Sequence, residues 1–72
     1  MLERIHDLTP IRQVTIDGTK YLHRACKRCL RDFALVEGSG EVWRPVKVNV
    51  FNFEFLDDGT AEHWLVECPA VR

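Results

Sequence analysis

Seventy-two residues with 46% hydrophobic and 29% charged side chains describe a single small folded domain spanning residues 1–72 and exclude a disordered chain. A chain this short buries only about 60% of the surface that its unfolded form exposes, so a metal, disulfides or a partner chain is expected to help hold it. The net charge of −1 argues against a dedicated nucleic-acid binder, whose usual footprint is strongly basic, although residues 1–36 carry seven Lys/Arg against four Asp/Glu and residues 37–72 three against seven.

The charged start, Met1 to Asp7, lacks the apolar run of roughly 7–15 residues that a signal peptide needs, and no later segment approaches the ~20 needed to span a bilayer. A cytoplasmic protein without a membrane partner is the expectation. Ile11 to Ile16 alternates apolar and polar side chains, and Thr19 to His23 resumes a β-like composition. Between them Asp17-Gly18 signals a tight type I′ hairpin. The second strand runs into Cys26-Lys27-Arg28-Cys29, after which Phe33 to Val36 reads as a third strand, ended by the Glu37-Gly38-Ser39-Gly40 turn.

From Val42 to Phe55 the pattern is again β-like, with Val46, Val48 and Val50 on one parity and Phe51, Phe53 and Phe55 on the other. Because strand side chains repeat every second residue, the switch at Val50-Phe51 predicts a β-bulge, or a strand end followed by a turn or helix. Asp57-Asp58-Gly59-Thr60 supplies turn and N-cap chemistry for about two helical turns over Ala61 to Glu67, ended before Pro69. Trp64 and Leu65 would cover the sheet. The expected fold is small α+β or mostly β: an antiparallel sheet of about four strands with one short C-terminal helix, clipped by zinc.

The chemistry sits in the cysteines. Three thiols fit a closed disulfide framework poorly, and in a reducing compartment they serve better as ligands. Cys26 and Cys29, two residues apart, can point both sulfurs at one ion from a tight turn, and soft thiolates suit a tetrahedral zinc site. The candidate set is Cys26, Cys29, Cys68 and one histidine, holding one zinc per chain. His63 is placed fourth because with Cys68 it brings a pair from the far end of the chain. His23, on the strand entering the knuckle, is the alternative. Two other readings of the cysteines stand beside this one, small hydrophobes in a turn and a redox dithiol.

The run of strand, CxxC turn and Leu30-Arg31-Asp32-Phe33 resembles the knuckles of zinc-ribbon and rubredoxin-like domains, in which an aromatic residue commonly follows the second cysteine by a few positions. The likeness covers residues 21–36 alone, no glycine follows Cys29, and there is no second knuckle.

Arg24, Lys27, Arg28 and Arg31 surround the knuckle and, with Tyr21 and Phe33 nearby, form a candidate phosphate and base contact. Trp43 and Trp64 read as core, and Asp57 and Asp58 as caps. Ser39 has no paired base, so no enzyme activity is expected. The leading functional expectation is a zinc-stabilised module that binds another protein. A nucleic-acid-binding ribbon and a thiol redox protein are the rivals, and exposed sheet edges leave room for a homodimer.

Overall fold

The structure, a computed structural model, describes residues 2–40, 42–49, 51–56, 59 and 61–68. A short helix α1 (Leu2–Ile5) precedes five strands, β1 (Arg12–Ile16), β2 (Thr19–Ala25), β3 (Asp32–Val36), β4 (Arg44–Val48) and β5 (Phe53–Phe55), and a single 3-10 turn (Glu62–Leu65) follows. The strands form one antiparallel meander in the order β1-β2-β3-β4-β5. This is a small, mostly-β fold. Among the described residues no helix is long and apolar enough to cross a membrane.

Asp17-Gly18 turns the chain between β1 and β2 as its composition demands, with φ of 50° at Asp17 and 80° at Gly18. Positive φ at both central residues is the type I′ signature, which matches the right-handed twist of the strands it joins. The resulting register pairs Val14 with Tyr21 and Arg12 with His23.

The parity switch in the Val42–Phe55 run is a hairpin, so the expected count of four strands rises to five. Chain reversal follows β4, where the Asn49 amide donates to the Asn52 carbonyl at 2.8 Å, and the run resumes as β5 with Val48 opposite Phe53 and Val46 opposite Phe55. Antiparallel partners across this turn have opposite sequence parity. One continuous sheet face therefore changes parity in the sequence without any bulge. Val50 lies outside the described residues.

One face of the sheet carries Val14, Tyr21, His23, Ala34, Val46, Phe53 and Phe55, following the register from strand to strand. Strand twist curls this face inward. Tyr21 on β2 meets Phe53 and Phe55 on the non-adjacent β5, with ring centroids 5.4 and 6.2 Å apart, and His23 stacks on Phe53 at 5.4 Å. The other face centres on Phe33, which is fully buried and lies 5.0 Å from the His6 ring. The sheet thus has two cores.

The C-terminal segment is shorter than the two helical turns expected. It makes one 3-10 turn, closed by the Trp64 amide on the Ala61 carbonyl at 3.0 Å, and Ala61 provides no side-chain cap. The expected caps Asp57, Asp58 and Thr60, and Pro69, lie outside the described residues. Trp64 and Leu65 are half-buried, and Cys68 leaves the turn into a buried position. The helix α1 has no counterpart in the sequence expectations, since four residues are too few to show a period.

The hairpin gives a direct test of the first turn. No heavy atom lies within 4 Å of the point where a Gly18 Cβ would stand, so Gly18→Ala adds backbone strain and nothing else. Chemical denaturation is expected to show a loss of about 1 kcal/mol, with an unchanged slope.

Candidate metal centre

Three separate pieces of chain meet beneath Phe33. As β2 ends, Cys26 opens a turn in which its carbonyl accepts the Leu30 amide at 2.9 Å and its own amide donates to the Arg31 carbonyl at 2.9 Å. These bonds fold Lys27, Arg28 and Cys29 back, and the Cys29 amide points at the Cys26 sulfur at 3.5 Å. Leu30 closes the turn with φ of 61°.

The segment after α1 then runs beside the knuckle. The Lys27 amide donates to the Asp7 carbonyl at 2.8 Å, the Thr9 amide to the Ala25 carbonyl at 2.8 Å, and Leu8 bridges Cys26. Thr9 also accepts the Ala25 amide on its hydroxyl at 3.0 Å. This pairing, with the His6 amide bonded to the Leu2 carbonyl at 2.9 Å, aims the His6 ring at the cysteines.

The result is a group of four ligand atoms, from His6, Cys26, Cys29 and Cys68, all within 4.8 Å of one another. The Cys26 and Cys68 sulfurs are 3.8 Å apart, and the Cys29 sulfur is 3.5 Å from His6 Nδ1. Both match the edges of a tetrahedral site, since metal–sulfur bonds of about 2.3 Å and a metal–nitrogen bond of about 2.0 Å require edges of about 3.8 and 3.5 Å. All three thiols are free, and a disulfide would need its sulfurs at about 2.05 Å. The four residues fit a metal site.

Second contacts fix the imidazole. His6 Nε2 donates to the Trp64 carbonyl at 2.5 Å, which places the proton on that nitrogen and leaves the Nδ1 lone pair facing the sulfurs. Burial is 2% exposure for His6, 1% for Cys26 and 7% for Cys68, while Cys29 is half-buried.

The thiols are electrostatically unequal. Burial opposes ionisation of Cys26, but the backbone amides of Cys29 and Arg28, with the His6 and Cys29 side chains, outweigh it and bring the thiol down to about 6. Burial pushes Cys29 up to about 11, with the Cys26 and Cys68 sulfurs adding to it against the Arg31 backbone amide. A cation held by these residues would offset that cost, since coordination deprotonates a thiol outright.

The expected cysteines Cys26, Cys29 and Cys68 are brought together, but neither expected histidine joins them. His63 is exposed on the 3-10 turn, its ring 6.3 Å from that of Trp64. The tight turn presents the Trp64 carbonyl to the site and sends the His63 ring to solvent. His23 is buried on the opposite sheet face, where Nδ1 accepts from Arg12 Nε at 3.0 Å and Nε2 meets Asp32 Oδ1 at 2.9 Å. His6 carries no sequence signal for its place here, because it stands twenty residues before Cys26 without a ligand-type spacing.

Of the basic residues around the knuckle, two are engaged in the fold. Arg24 donates to the Thr9 carbonyl at 3.2 Å and lies 5.8 Å from the Trp43 ring centre, and Arg31 lies 4.2 Å from that of Trp64. Lys27 and Arg28 are exposed. Phe33 is fully buried and Tyr21 packs on β5 across the other face, so neither ring is free to stack on a base.

No family model matches the chain, and comparison with the curated proteins and with the solved structures returned no match. Its reading rests on geometry.

Removing each histidine in turn separates the candidates. His6→Ala is expected to weaken metal binding by more than the roughly 10–100-fold that loss of an outer-shell partner costs. His63→Ala is expected to leave the affinity unchanged, as read by competition with a chromogenic chelator.

Proposed function

We propose that this chain is a small protein-binding module whose fold is closed by one structural zinc ion on His6, Cys26, Cys29 and Cys68. The observation that carries the reading is the convergence of those four donor atoms within 4.8 Å of one another, with two separations, 3.8 and 3.5 Å, at the edge lengths of a tetrahedral site. Three thiolates and one imidazole form a soft to borderline donor set, which favours zinc over hard cations such as magnesium or calcium. Four protein donors leave no open coordination position, the arrangement of a structural rather than a catalytic site.

The protein-binding part of the reading is supported by what the surface offers. Large apolar side chains stand out at Leu30, Val42 and Phe51, which are 78%, 77% and 84% exposed, and among the described residues β1 and β5 are the two edges of the sheet. A free edge pairs readily with another chain, including a second copy. The reduced thiols such a centre requires fit a cytoplasmic setting.

Nucleic-acid binding through the knuckle is the weaker alternative, because Phe33 is fully buried and Tyr21 packs on Phe53 and Phe55, which leaves neither ring to stack on a base. A thiol redox role has the low-lying Cys26 in its favour, but the paired sulfurs stand in a four-donor group rather than as an isolated dithiol.

Native against acid-denatured mass spectrometry is expected to give one zinc per chain. Chelation and Cys26→Ser are each expected to lower the melting temperature sharply or abolish the transition, because zinc binding in small domains supplies about 10–16 kcal/mol of apparent folding free energy. A metal-free protein whose melting temperature is indifferent to Cys26→Ser would overturn the reading.

A further inference from the structure

The position after Cys29 is occupied by a residue that the local backbone disfavours. Leu30 has φ of 61°, a region in which an L-residue with a branched side chain is strained and which glycine occupies without cost. It is also 78% exposed. Neither the turn nor the core gains from a leucine here, and strain of this kind accumulates where a side chain has another task.

A groove of about 250 Å³ runs beside it, lined among others by Leu30, Arg31, Val46, Val48, Leu56 and Trp64. That volume is below the roughly 300–1,000 Å³ typical of small-molecule pockets and suits a single apolar side chain. Arg31 forms part of the wall. Its guanidinium stacks on Trp64 at 4.2 Å, and its Nε is buried with no hydrogen-bond partner among the described residues. A guanidinium held in one orientation by a ring is suited to a carboxylate.

The rim has the same preference. Lys27 and Arg28 are exposed on the knuckle next to Leu30. Asp32, which also lines the groove, is bonded to His23 at 2.9 Å, and Lys47 in the same wall stands opposite Glu54 in the register of β4 and β5. A leucine offers no π-face to a nucleobase, so an acidic protein segment fits this surface better than a nucleic acid.

We propose that the knuckle and its groove dock an acidic segment of a partner protein, with one apolar side chain of the partner seated against Leu30 and its carboxylates on Arg31 and Arg28. This rests on the protein-binding reading above and assigns its surface. The zinc centre acts here as a support that holds Leu30 and Arg31 in place from behind.

The test uses the full chain with its metal, as wild type, Leu30→Gly and the double variant Lys27→Glu/Arg28→Glu, with fluorescence anisotropy as the readout. The probes are a short labelled peptide of aspartates and glutamates around one tryptophan, the same peptide with serine for tryptophan, the same with lysine for every acid, and a short oligothymidine. The acidic tryptophan peptide is expected to bind at least about tenfold tighter than the other three, and each variant to lose at least about tenfold, the cost of one buried anchor or charge contact. Leu30→Gly is expected to keep its zinc by native mass spectrometry and to raise the folded-to-unfolded ratio about two- to fivefold, since it relieves the left-handed strain at some entropic cost. Equal binding by wild type and Leu30→Gly would overturn the docking surface while leaving the module itself standing. Absence of binding by every peptide would likewise overturn the docking surface and leave pairing through the sheet edges as the form of the module, and tighter binding of oligothymidine would replace both with the nucleic-acid alternative. A wild type without metal would remove the zinc centre alone, because the peptide measurement reads the surface independently.

Discussion

Everything on the Phe33 side of the sheet depends on four donor atoms converging from three distant parts of the chain. His6 comes from the segment after α1, Cys26 and Cys29 from the β2–β3 turn, and Cys68 from the end of the described chain. Cys26 and Cys68 are 42 residues apart, and His6 reaches Trp64 across 58. Without a link at this point the terminal segments have little to hold them, since α1 is four residues long and the C-terminal element is one 3-10 turn. An ion there would replace the hydrophobic area that a chain of this size lacks.

The opposite face solves its packing without a metal. Curling brings β2 onto β5, so that Tyr21, His23, Phe53 and Phe55 fill the concave side. His23 is buried there as a polar residue, and both its ring nitrogens are met, one by Arg12 and one by Asp32. A buried imidazole left unpaired would be costly. The chain of Arg12, His23 and Asp32 crosses β1, β2 and β3 and fixes their register. The two histidines thus divide the structural work: one ties strands together, and the other ties the termini to the knuckle.

The cation–π pairs follow the same logic at the surface. Arg24 over Trp43, Arg31 over Trp64 and Arg44 over Phe55 each cover an aromatic ring that a small core leaves partly open. The long aliphatic stems of arginine supply apolar area while the guanidinium stays near water. This accounts for a basic-looking knuckle on a chain of net charge −1: part of that charge is packing material, while Lys27 and Arg28 are exposed.

Short-range chemistry was legible in the sequence. Asp17-Gly18 determined the first hairpin because positive φ at two adjacent residues admits few side chains, and the CxxC spacing determined that Cys26 and Cys29 share one turn. The period-two runs determined the strands, and their parity switch marked the reversal between β4 and β5, although periodicity alone did not distinguish a bulge from a hairpin. The tertiary structure decided the rest. His6, His23 and His63 are equivalent in composition, and which one meets the thiols depends on the path of residues 7–9 beside the knuckle and on where the Trp64 carbonyl points. A ligand choice made by contacts across 23 and 58 residues leaves no local pattern, because the forces that select it act only once the sheet has formed.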